Sequence, residues 1–153
     1  MTNSESDNRS EMVQLLRSIV SSTFVVYMKT YAVHWNYHGH KFFSVHKLTE
    51  GQYEDQAEAI DLIAERVRAL GGEAPISLAC ILEDTAIKEF TTVDRKQDEL
   101  VSNLVVSNQK LAELCRSAAV KLDELCDRYS HDIVVARIGA HEKAAWMLHS
   151  QLE

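Results

Sequence analysis

The stretch HWNYHGHKFFSVHKLTEGQYEDQAEAIDLIAERVRALGG, residues 34–72, decides how this chain folds. From Phe42 or Phe43 onward its apolar residues Val45, Leu48, Ala57, Ile60, Ala64, Val67 and Leu70 recur at helical spacing, and the run stops at Gly71-Gly72. Gly39, within HGH, gives the chain a place to turn just before this helix. The helix also carries chemistry. His46 and Glu50 are four apart, as are Asp61 and Glu65, so each pair shares a helical face. With His34 ahead of the turn, five residues of metal-ligand type fall in one stretch. His46 and Asp61 are 15 positions apart, roughly 22 Å at about 1.5 Å per residue, and no single metal centre spans that distance. Fifteen steps of about 100° bring the direction back to within about 60°, so both pairs project from broadly the same side. If two copies of the helix pack antiparallel about a two-fold axis, the His end of one meets the acidic end of the other. The spacing therefore predicts a site that belongs to a dimer.

On either side of this stretch the pattern stays helical. Residues 1–9, MTNSESDNR, read as a short, flexible polar tail, and Ser10 is a plausible N-cap for a first helix. That helix carries Met12, Leu15, Leu16, Ile19, Val20, Phe24, Tyr27 and Met28 and reaches about Tyr37. Beyond Gly72, Pro75 suits the first turn of a short connecting helix from Ile76 to about Leu82. A polar stretch through Thr92 precedes a long helix whose stripe is Leu100, Leu104, Leu111, Leu114, Leu122 and Leu125. Asp127–Ser130 interrupts the period. The last helix has Ile133, Ala136, Ala140, Ala144, Met147 and Leu148 on its expected inner side. The prediction is an all-α four-helix bundle over 10–153, with a short extra helix in the long connection between helices two and three. That length permits a crossover.

Composition agrees. In 153 residues there are five Gly and one Pro, too little turn punctuation for many short strands. The formal charge of −7 opposes binding to phosphate backbones and favours cations. Cys80, Cys115 and Cys126 lie far apart without C-x-x-C spacing, which suggests buried thiols in a reducing, cytoplasmic setting. No stretch has the ~18–20 apolar residues of a membrane span, so no membrane partner is expected.

Imidazole nitrogen with carboxylate oxygen, and no thiolate, suits iron, manganese or zinc, and fits an iron ion that passes from Fe(II) to Fe(III). The chain contains no Glu-x-x-His, the pair that bundles use to build a di-iron site within one subunit. That favours the inter-subunit arrangement. Carboxylates four apart on a helix are more often plain solvated surface, and His38 and His40 beside Gly39 read as loop residues outside the site.

The run KTYAVHWNYHGHKFFSVHKLTEGQYEDQAEAIDLIAERVRALGG, Lys29 to Gly72, resembles the signature of the Dps proteins, the miniferritins, and HEKAAWML, His141 to Leu148, resembles their last helix. The resemblance covers the chain from about Glu11 onward. It implies a ferritin-like bundle assembled as a hollow dodecamer, with a ferroxidase centre at each two-fold interface. There His34, His46 and Glu50 from one subunit would meet Asp61 and Glu65 from its partner. Many members have Asp where this chain has Glu50, so its oxygens sit about one methylene further out. The implied reaction is oxidation of Fe(II) by hydrogen peroxide, in preference to oxygen, with ferric oxide stored in the cage and DNA protected indirectly from hydroxyl radical. Trp35 and Trp146 match tryptophans near that centre, where they would act as an oxidisable shield or as packing. Asp123, Asp127 and Asp132 match the region lining three-fold pores, with Arg128 among them. Glu54 and Glu58 are acidic groups suited to nucleating ferric oxide. The competing function is direct DNA binding and compaction. It is disfavoured by the net charge and by a tail whose one cation, Arg9, stands against Glu5 and Asp7. A scaffold with an incidental His/carboxylate set is the third possibility.

Overall fold

In a computed structural model, residues 3–90 and 96–153 are described, with side chains from Glu5 onward. They form five helices: α1 (Asn3–Asn36), α2 (Phe42–Ala69), α3 (Leu78–Asp84), α4 (Gln97–Glu124) and α5 (Arg128–His149). The helix does not start at Ser10. The polar residues before Ser10 contain neither Gly nor Pro, so they extend a helix nucleated by the packed turns that follow, and residues 5–10 stay exposed. Pro75 precedes α3 rather than opening it, because the Ser77 side chain accepts the Cys80 amide and caps the helix there. Thr92, the expected end of the polar stretch, lies outside the described residues.

The chain runs up α1, down α2, down α4 and up α5. The end of α1 meets the start of α4, where the His38 amide donates to Gln97 Oε1. The end of α2 meets the start of α5, where Arg66 reaches Asp127, and the far end of α5 returns to α2 through Lys41 and Gln151. Such an arrangement requires the crossover that the long connection permits. The connection travels along α1, held by Arg17 to Asp84, by Ser22 to the Ala86 amide, and by Lys29 to the Lys88 carbonyl.

Two turns set the register. α2 ends with the Gly72 amide on the Val67 carbonyl and Gly71 at φ +83°, the left-handed cap a glycine adopts without penalty. Gly72 then lies so close to α1 that a Cβ there would sit 2.5 Å from Val13. α4 ends the same way, with the Asp127 amide on the Leu122 carbonyl, but Cys126 takes the left-handed position at φ +59°. Cys126 is exposed and Cys80 partly so; only Cys115 is the buried thiol expected, and burial pushes its pKa up to about 12.

The core is continuous through Leu16, Ile19, Val26, Val33, Val45, Ile63, Leu104, Leu111, Leu122 and Leu148. Most of the expected stripes are buried, with corrections. Ala57 faces outward on α2. On α5 Ala136 and Met147 are exposed, while Val134, Arg137, His141 and Ala145 turn inward. The inner face of α5 is thus rotated from the apolar pattern, and Ser130, Arg137 and His141 are the polar residues buried on it.

Candidate metal centre

The centre begins where α1 and α2 meet. His34 ends α1 and His46 lies in the first turns of α2, and the short turn between them stacks the two rings at 3.7 Å between centroids. Each ring uses Nδ1 on the other residue's backbone. His34 Nδ1 is 3.1 Å from the His46 carbonyl and 3.1 Å from Thr49 Oγ1, and His46 Nδ1 is 3.2 Å from the His34 carbonyl. A carbonyl only accepts, so both Nδ1 atoms carry the proton and both Nε2 atoms keep a lone pair for a metal. Thr49 is buried and donates to the Val45 carbonyl, so its hydroxyl is oriented to accept from His34.

Glu50 lies one turn beyond His46. Lys47 Nζ holds its Oε2 at 2.5 Å, and that hydrogen bond, reinforced by the charge of Lys47, keeps the carboxyl below its usual pKa. It is therefore ionised at neutral pH, with Oε1 left for a further ligand.

Asp61 and Glu65 are exposed on the same unbroken helix and, among the described residues, make no hydrogen bond or ion pair. The structure brings His34, His46 and Glu50 together and leaves the two acidic residues apart from them. Among the described residues no group of three or more His, Cys, Asp or Glu is gathered tightly enough in one subunit to hold a metal.

An aromatic column stands beside the imidazoles. Tyr31 stacks on Tyr53 at 4.2 Å, contacts Trp35 at 4.7 Å and Tyr27 at 4.9 Å, and Tyr53 meets His34 edge-on at 5.2 Å. A hydrogen bond with Tyr31 raises the Tyr27 phenol, and burial raises that of Tyr53, so both stay protonated. Tyr31 and Tyr53 were not among the residues expected from the sequence, and Tyr27 only as part of the apolar stripe of the first helix. Tyr27 and Tyr31 are one helical turn apart and lead directly to His34 and Trp35, a spacing that could have marked them. Trp146 lies elsewhere, in a groove between α4 and α5 with Arg116, Glu142 and His149.

The three aspartates of the expected pore part ways. Asp127 is buried: it caps α5 through the Ser130 amide and binds Arg66 through both oxygens. Burial works against its charge, but the Ser130 and Arg66 bonds outweigh it and hold the carboxyl below its usual pKa. With its oxygens taken up inside the subunit, Asp127 ties the start of α5 to α2. Asp123 and Asp132 remain exposed, and Asp132 pairs with His131 at 3.1 Å.

Comparison with known proteins defines the class first. The ferritin-like domain model matches residues 13–153. The DNA protection during starvation protein of Brevibacillus brevis is 35% identical over 91% of this chain and 93% of its own length. A Dps protein from Bacillus brevis superposes with a TM-score of 0.91 at 33% identity, covering 100% of both chains. The DPS protein from Vibrio cholerae O1 is described as a member of a broad superfamily of ferritin-like diiron-carboxylate proteins. It matches at 27% identity with a TM-score of 0.87, over 96% of this chain and 92% of its own. The chain belongs to the ferritin-like superfamily and, within it, to the Dps family. That membership supports a broad role in iron storage and protection. No helix among the described residues is long and apolar enough to cross a membrane.

Proposed function

We propose that this protein is a ferroxidase that stores iron in a dodecameric cage in the cytoplasm, with its centre shared between two subunits. The observation that carries the reading is the pair of histidines, His34 at the end of α1 and His46 at the start of α2, locked through Nδ1 with Nε2 left for a metal, while the acidic pair further along α2 lies too far away to help in the same subunit. A two-fold partner would supply Asp61 and Glu65 to His34, His46 and Glu50. Apolar surface supports association: Trp35 is 63% exposed, and Leu78, 66% exposed, shares a groove with Met28 and Leu82 of α1 and α3.

Fe(II) is the substrate. The imidazoles bind it as neutral ligands, and the carboxylates, harder donors, stabilise the Fe(III) product. Two ferrous ions each give one electron to hydrogen peroxide. Its O–O bond breaks, and with two protons it leaves as two water molecules, so no hydroxyl radical is released. Tyr31, Tyr53 and Trp35 lie where they can reduce a stray one-electron oxidant before it diffuses away. Asp123 and Asp132 would draw Fe(II) to the pores, and Glu54 and Glu58 would nucleate ferric oxide. Protection of DNA is then indirect, because a subunit charge of −7 opposes contact with a polyanion.

The test is anaerobic loading with Fe(II), then hydrogen peroxide or oxygen, following the ferric absorbance. The reading requires fast oxidation by peroxide, slow oxidation by oxygen, and a soluble ferric product. A rate no greater than in protein-free buffer rejects it.

A further inference from the structure

Among the described residues, Glu50 is the one carboxylate of the centre that already has a cation against it. Lys47 lies three residues before it on the same face of α2, and Lys47 Nζ is 2.5 Å from Glu50 Oε2. The lysine side chain is 57% exposed and that of the glutamate 34%, so the pair adds little to stability. Its position matters more than its strength. Lys47 follows His46 directly, and the carboxylate it holds is the one the fold brings to the His34–His46 pair. Lys41, the other lysine at this turn, is directed elsewhere, to the Gln151 carbonyl at 2.6 Å.

The contact has two consequences. It takes up Oε2, so Glu50 offers a metal its Oε1 alone. It also sets a positive charge beside the bound ion, since a lysine ammonium stays charged throughout the neutral range. We propose that Lys47 tunes the centre toward divalent over trivalent iron: it holds Glu50 as a one-oxygen ligand and opposes Fe(III) more than Fe(II), so the oxidised ion leaves and the ligands are free to bind again. This role rests on the inter-subunit centre proposed above, and Lys47 acts in it as a positioning residue, through Glu50.

Charge decides the direction of the effect. Neutral imidazoles contribute none, and Glu50, Asp61 and Glu65 contribute one negative charge each, a set that favours a trivalent ion. Lys47 cancels one of the three and shifts the balance toward a divalent one. An iron bonded to Oε1 at about 2.1 Å stands roughly 5 Å from Nζ. At that distance each unit of positive charge on the ion costs it about fourfold in affinity, even at the dielectric constant of water that suits so exposed a lysine. Fe(III) carries one unit more than Fe(II), so Lys47 disfavours the product relative to the substrate by about that factor. The next carboxylate on this face is Glu54, exposed and one turn beyond Glu50, where a departing ferric ion finds a hard oxygen donor without a lysine bonded to it.

Lys47→Met keeps the length of the side chain and removes its charge, and Lys47→Arg keeps the charge. Assembled wild type and both variants are loaded anaerobically with saturating Fe(II) and oxidised with hydrogen peroxide. An equal second load of both follows after a fixed short interval, and the ferric absorbance is recorded throughout. Wild type decides the underlying reading: a first burst no faster than in protein-free buffer rejects the centre, and with it any role for Lys47 there. Given that burst, Lys47→Met should keep the first oxidation within about twofold of wild type and slow the second at least about threefold, because ferric ion still occupies the ligands. Lys47→Arg should restore the second burst. A second burst in Lys47→Met as fast as in wild type overturns the proposal. So do two bursts slowed alike, which would make Lys47 a prop for Glu50 and no more, and a loss that Lys47→Arg fails to restore.

Discussion

Lowering the pH from 7 to 5 should destabilise this protein through one residue. His141 is held neutral by burial and by Arg137 on its own helix. Asp55 on α2 partly opposes this, and Asn108 on α4 fixes the ring. Its pKa is about 3 in the fold and about 6.5 in the unfolded chain. A depressed histidine stabilises the fold fully only above pH ~6.5. As the pH falls below that, the unfolded chain takes up a proton that the folded chain cannot, and stability declines until pH ~3. Between pH 7 and 5 the loss integrates to about 2 kcal/mol per subunit. The lowered carboxyls Glu50, Asp55 and Asp127 protonate below this window and contribute little within it. The assay is urea unfolding followed by circular dichroism at pH 7 and pH 5, with chelator present and one subunit concentration throughout. His141→Leu will be less stable at both pH values because Asn108 loses its partner, so the difference between pH values is what counts. Wild type should lose about 2 kcal/mol more than the variant. Equal losses would refute the reasoning that places a neutral imidazole in this core.

Other perturbations test other parts of the structure. Thr49→Val removes the hydroxyl that accepts from His34 and should weaken anaerobic Fe(II) binding about 10–100-fold without dissociating the assembly, as size-exclusion chromatography would show. Cys126→Gly should raise the thermal midpoint, by roughly 0.5–1 kcal/mol of stability, because a glycine holds the left-handed cap of α4 without strain. Gly72→Ala should cost roughly 1–3 kcal/mol in the same measurement, since its Cβ would overlap Val13. Asp127→Ala should also cost roughly 1–3 kcal/mol, losing the α5 cap and leaving Arg66 without its partner. An unchanged midpoint would show that Asp127 does not tie these helices together.

What was legible in the sequence follows from what each signal depends on. The helices and their order were readable because long apolar stripes at helical spacing, with glycines at the breaks, fit little besides a bundle of helices. The His34–His46–Glu50 grouping was readable because a tight turn and one helical turn determine it locally. Tertiary context hid the rest. The apolar pattern of α5 points to Ala136 and Met147, yet the helix is rotated to bury Arg137 and His141 against Asp55 and Asn108, partners 82 and 33 residues away. Asp127 looked like one of a set of acidic turn residues until Arg66, 61 residues away, closed on it. The tyrosine column needed Tyr53 from a second helix to become a stack. Asp61 and Glu65 show the reverse: one subunit gives them nothing to do, and only the spacing argument assigns them a partner.

The central claim is that each centre takes its histidines from one subunit and its acidic pair from another. Co-expression of two inactive chains tests it most directly, one carrying His34→Ala and His46→Ala, the other Asp61→Ala and Glu65→Ala. At a two-fold interface between unlike chains, one of the two centres has every ligand intact. Random assembly makes about half of the interfaces mixed, so peroxide-driven Fe(II) oxidation should return to about a quarter of the wild-type rate. Mixed assemblies as inactive as either parent would contradict the account and place the chemistry within a single subunit.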